Sequence, residues 1–164
     1  MFKLTGVILI LIADFLVVRF ILEGKKKEIS IIRDAITFLK NISIEIIELK
    51  KPLFEAIVIN QGAVSCEIDS LINKFMLKNL PHREAIISVF NEETMLDENT
   101  KKILVEYLNI VGRTTKEGME DFLSVTINSL NYILSDKIEN SKNSKKIVNA
   151  TVYSLSILFV IFIL

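Results

Sequence analysis

The chain is 164 residues long and carries 20 Lys plus Arg against 20 Asp plus Glu, for a formal net charge of zero. That balance leaves no broad basic field for nucleic acid. A single cysteine rules out an intramolecular disulfide and suits a reducing compartment, and five glycines with two prolines disfavour a turn-rich β fold.

Apolar runs stand at both ends. Leu4 to Leu22 holds fourteen Leu, Ile, Val or Phe residues and is followed by Lys25, Lys26 and Lys27. Val148 to Leu164 has no charged residue and is preceded by Lys142, Lys145 and Lys146. A membrane span needs about 17–25 apolar residues, so both runs are read as transmembrane helices. Lysines are retained on the cytoplasmic side of a span, and both clusters border the middle of the chain. The expected topology is two-pass in the cell membrane, with both termini facing away from the cytoplasm. A cleaved signal peptide fits the first run poorly, because the run is long, lysines follow it directly and no small-x-small cleavage pattern appears. The expected domains are an N-terminal anchor over 1–24, a cytoplasmic helical domain over 25–146 and a C-terminal transmembrane helix over 147–164.

Asp14 is the one costly residue of the first run. It sits about eight residues from Leu22, or about 12 Å into the hydrocarbon. A charged Asp at such depth costs about 2.5–3.5 kcal/mol, which the apolar residues around it outweigh. Tyr153, Ser154 and Ser156 of the second run fall at a matching depth. Two readings of Asp14 stand: a working polar contact or lining of an aqueous path, and a protonated acid that only fixes helix pairing. Arg19, about 140° further round the helix, is expected to reach the membrane surface.

The first helix is expected to continue past the membrane. Ile32, Ile36, Leu39, Ile42, Ile46 and Leu49 recur at spacings of three and four, one apolar face of a helix. Arg33, Lys40, Asn41 and Glu48 lie away from that face, and Gly24 offers a flex point. Pro52 ends the helix near Leu49 or Lys50 and can start the next as its first helical residue. A short helix then runs to Ile59 and stops at Asn60-Gln61-Gly62. Ile68, Leu71, Ile72, Phe75 and Met76 form the next amphipathic set, and Cys66 at its start is read as a small buried packing residue. Ala85, Ile86, Val89 and Phe90 give another short helix after Pro81.

Asp97 or Asn99 caps the following helix, whose face is Ile103, Leu104, Tyr107, Leu108 and Val111. Gly112 stands where a C-terminal cap belongs. Thr114 and Glu117 have the spacing of a capping box for the last helix. Met119, Phe122, Leu123, Thr126, Leu130, Ile133, Leu134 and Ile138 mark its inward face, with a break expected at Asn140 to Asn143. No strand alternation of useful length is present, so the fold class is all-α.

The chemistry of an enzyme is not legible here. His82 is the only histidine, and it is read as an exposed residue in the first turn of a helix. One His and one Cys do not make a zinc site. No phosphate-binding glycine loop is present, so ATP-driven work belongs to a partner, and no cofactor is expected.

Several short runs point to a family when taken in order. They are Met1 to Ile10, then Ile36 and Leu39, Glu45-Ile46, Pro52-Leu53-Phe54-Glu55-Ala56, and Leu108 to Thr114 with Gly112 in its turn, closed by the lysine-flanked C-terminal run. The Pro52 run looks like the P-L-x-E-A element of secretion F domains. Across nearly its whole length the chain resembles the stage III sporulation protein AB family, which is related to the type II secretion system F domain. Thr151-Val152-Tyr153 departs from the Leu-Gly pair that often opens the second span in that family.

The resemblance implies an F-domain-like cytoplasmic helical bundle between two transmembrane helices. It also implies a non-catalytic membrane platform in the complex linking mother cell and forespore, lying in the mother-cell membrane around the forespore. The partners it implies are a cytoplasmic secretion-type ATPase and other subunits of that complex. The alternative is a structural scaffold that recruits integral subunits and touches no ATPase. A small transporter with Asp14 as its working residue is the weakest reading, since no second intramembrane acid or base is present to relay protons. In physical terms Pro52 sets the turn, Leu53 and Ala56 pack inward, and Glu55 sits at the positive end of the helix.

Overall fold

A computed structural model describes residues 2–63 and 66–163. The side chains of residues 2–11, 14, 15, 149, 155, 156, 158–160, 162 and 163 are outside that description. Among the described residues every regular element is an α-helix: α1 (Phe2–Ile47), α2 (Leu53–Ile59), α3 (Cys66–Leu77), α4 (His82–Glu92), α5 (Glu98–Ile110) and α6 (Lys116–Ile163). The chain divides into two compact units, residues 28–135 and residues 1–27 with 136–164.

The unit of residues 28–135 is built around the second half of α1. Ile31, Ile32, Ala35, Phe38, Leu39 and Ile42 are all buried there, as are Ser43, Ile46 and Ile47. At 100° per residue these positions cover about 180° of the helix, wider than the single stripe read from the sequence. Helix α4 packs against α2, α3 and α5. Phe38 and Phe90 meet at 6.3 Å between ring centroids, and Tyr107 stacks on Phe122 at 6.1 Å. Each fully buried side chain of this size contributes about 1.5–3 kcal/mol. A polar contact crosses this core: the Tyr107 hydroxyl meets Ser43 Oγ, which donates to the Leu39 carbonyl at 2.5 Å. Burial pushes the Tyr107 phenol above its ordinary pKa, against the opposing pull of the Ser43 contact.

The inward face of α6 agrees with its sequence pattern. Met119, Thr126 and Leu130 are buried, and Phe122, Leu123, Ile133 and Leu134 pack partly buried on the core. Ile68, Leu71, Ile72 and Phe75 of α3, and Ala85, Ile86, Val89 and Phe90 of α4, are buried as their spacing predicts. Asp97 caps α5, accepting from the Thr100 N–H at 2.7 Å.

Other expectations are corrected. Helix α1 stops at Ile47, so Leu49 lies beyond the helical register and is 55% exposed. Met76 sits at the margin of the α3 stripe and is exposed. Cys66 falls about 160° round the helix from Ile68 and is exposed, not a buried packing residue. Pro52 is the residue before the first helical turn of α2, with φ −65° and ψ 151°, and not a residue inside it. Thr115, not Thr114, caps α6, its hydroxyl accepting from the Gly118 N–H at 3.3 Å. Helix α6 passes through Asn140 to Asn143 without a break, and α1 passes through Gly24. Asn and Ser are only mildly unfavourable inside a helix, and a short run of them does not end one.

Thr100 lies fully buried at the start of α5, and its hydroxyl has no hydrogen-bond partner among the described residues. A buried unpaired hydroxyl carries its full desolvation cost. Thr100→Val keeps the shape and removes that oxygen. It is expected to stabilise the protein by about 1 kcal/mol. Thermal unfolding of the full chain in detergent checks this, and a lowered midpoint would contradict it.

In the other unit, Lys25 Nζ donates to Ser144 Oγ at 2.5 Å, and Arg19 pairs with Glu23 at 2.7 Å. Among the described residues no helix is long and apolar enough to cross a membrane.

Candidate interaction site

Two of the four family-like positions in the Pro52 run meet Gly112 in one cleft. The cleft has a volume of about 280 Å³ and is lined by Ile46, Lys50, Lys51, Pro52, Leu53, Arg83, Gly112, Thr114 and Met119. Helix ends surround it: the exit of α1, the entry of α2, the exit of α5 and the approach to α6.

Each wall has a local cause. Helix α1 is closed by a wide final turn, in which the Leu49 N–H reaches the Ile44 carbonyl at 3.3 Å and the Lys51 N–H reaches that of Glu45 at 3.0 Å. Lys50 between them takes φ +52°, a left-handed conformation usually given to glycine at this point of a helix. Pro52 follows directly, and its carbonyl accepts from the Ala56 N–H at 3.0 Å. Ala56 is buried, Leu53 packs partly buried on the core, and Glu55 is exposed in the first turn of α2.

Across the cleft, Gly112 takes φ +76°, a conformation that glycine adopts without the steric cost of a side chain. Its N–H donates to Met119 Sδ at 3.2 Å, which ties the turn to α6. Arg83 of α4 holds the same turn from the other side. Its guanidinium donates to the Leu108 carbonyl and, at 2.7 Å, to the Val111 carbonyl. Carbonyls in the last turn of a helix lack partners within the helix, and Arg83 supplies them for α5. Burial lowers the Arg83 pKa from its ordinary value, and the neighbouring Arg113 lowers it further.

The acids around the cleft are engaged. Glu45 pairs with Lys51 at 2.7 Å. Lys116 pairs with Glu48 at 2.9 Å and with Glu120 at 3.7 Å. The hydrogen bond to Glu48 is the main cause that holds the Lys116 ammonium above its ordinary pKa.

Arg83 was not legible as a site residue, since a lone Arg in the first turn of a short helix carries no pattern. The other singled-out residues lie elsewhere. His82 is exposed, as expected, and its ring lies 4.2 Å from that of Phe54 between centroids. Asp14 is in α1, and its side chain is outside the described residues. No group of three or more His, Cys, Asp or Glu among the described residues is placed to hold a metal ion.

The family model described as stage III sporulation protein AB matches residues 3–164. No curated protein and no solved structure matches the chain.

Proposed function

This chain belongs to the stage III sporulation protein AB family, and from that premise we propose that it is a non-catalytic membrane platform. It serves the complex that links mother cell and forespore, and it docks a cytoplasmic assembly ATPase. The family match over residues 3–164 is the observation that carries this reading. Two features of the chain support it. The apolar runs at Leu4–Leu22 and Val148–Leu164 carry lysines on their inner sides only, which favours two transmembrane anchors with the intervening residues in the cytoplasm. The helical unit of residues 28–135 shows no nucleotide loop in its sequence, which suits a subunit that engages an ATPase rather than one that is an ATPase.

Capture of the full-length protein from detergent-solubilised sporulating cells tests the proposal. The expected result is co-purification of a cytoplasmic ATPase that has a phosphate loop. Recovery of integral membrane subunits alone would replace the platform with a structural scaffold.

A further inference from the structure

The cleft at the helix ends combines positive charge with a lack of counter-charge. Lys50, Lys51 and Arg83 line it, and Arg113 is close enough to Arg83 to act on it electrostatically. Glu45 is held by Lys51, while Glu48 and Glu120 are held by Lys116. Among the described residues no carboxylate lies within ion-pairing distance of Lys50, Arg83 or Arg113. Arg83 is satisfied by two backbone carbonyls, which are neutral, so no carboxylate offsets its charge. Like charges kept close are destabilising unless an anion relieves them.

We propose that this cleft is a docking site for an acidic segment of a partner protein, whose carboxylates are received by Lys50 and Arg83 in its lining and by the exposed Arg113, which lies in sequence between the lining residues Gly112 and Thr114. The lining argues for a carboxylate-bearing segment: Lys50, Lys51 and Arg83 stand among apolar side chains in a cleft of about 280 Å³, room for one or two side chains presented from outside. Ile46, Pro52, Leu53 and Met119 add apolar surface to the lining, so the methylenes of a glutamate find contact as well as its carboxylate. Arg83 is a positioning residue, because its hydrogen bonds hold the α5 turn in place. The inference stands on the charges of the cleft and does not depend on which partner the family engages.

The test uses the full chain in a non-ionic detergent and a fluorescein-labelled peptide of six glutamates, followed by anisotropy at low salt. Saturable binding is expected, weakening as salt rises. The double variant Lys50→Asn, Arg113→Gln is expected to bind at least fivefold more weakly. Asn tolerates the left-handed conformation at position 50, so this variant keeps the fold, and an unchanged thermal midpoint verifies that. The charge-matched control Lys40→Asn, Lys102→Gln removes two exposed lysines elsewhere and is expected to bind like the parent. Equal weakening in both double variants would reduce the effect to diffuse charge and overturn the site. Absence of saturable binding up to millimolar peptide would also overturn it. So would complete displacement by millimolar inorganic phosphate, which would make the cleft a free-anion site.

Discussion

Phe38→Ala is expected to destabilise the unit of residues 28–135 by about 3–5 kcal/mol. Phe38 has no solvent exposure and lies against Phe90 near the middle of the core. Truncation removes the transfer free energy of the ring and leaves a cavity that the surrounding helices close only in part. Total stabilities of domains are about 5–15 kcal/mol, so this one change can remove a large share. Urea unfolding of the full chain in detergent, followed by circular dichroism, measures the loss. Phe38→Leu retains much of the volume and is expected to lose less. A shift below about 1 kcal/mol for the alanine variant would mean that the ring is not packed as described.

Arg83→Met is expected to cost about 2–4 kcal/mol, although Arg83 is only half-buried. Two charge-assisted hydrogen bonds disappear, each worth about 1.5–3 kcal/mol, and the Leu108 and Val111 carbonyls lose their donors. Removal of the repulsion from Arg113 returns a part of that cost. Arg83→Lys is expected to recover only some of the stability, since a single ammonium does not reproduce the planar fork that reaches both carbonyls. The same unfolding experiment measures both variants. Equal stability of the methionine variant and the parent would show that the turn after α5 does not depend on Arg83.

The helices were largely legible because each must bury one face, and a buried face imposes its period on the sequence. The stripes of α3, α4 and α6 are read from spacing alone; those of α3 and α4 are buried except at Met76, and that of α6 is buried at Met119, Thr126 and Leu130 and partly buried at its other positions. Helix α1 shows what a stripe conceals. Packed on about half its circumference, it also buries Ile31, Phe38 and Ile47, and no three-and-four spacing distinguishes such a central helix from a peripheral one.

Helix boundaries were less legible. Lys50 takes the left-handed position that a glycine would have announced, so the exit from α1 carried no signal beyond Pro52. Gly112 did announce its turn, and the turn is there. The cleft was only half visible. Pro52, Leu53 and Gly112 stood out as family-like positions, but their meeting with Lys50 and Arg83 depends on contacts between distant parts of the chain.

That distance has a consequence for how the chain matures. Ile46 to Leu53, Arg83 and Gly112 to Met119 come together only after α1, α4, α5 and α6 have found one another. Contacts between segments so far apart in sequence carry a loop-closure cost and form slowly in folding. A half-folded chain presents the individual helices but not this cleft. A partner that recognises the cleft therefore discriminates finished subunits from unfinished ones, and its binding adds stability to the finished form by mass action. Were a partner to dock there, assembly and quality control would be the same event, and an incomplete chain would lack the surface to be held.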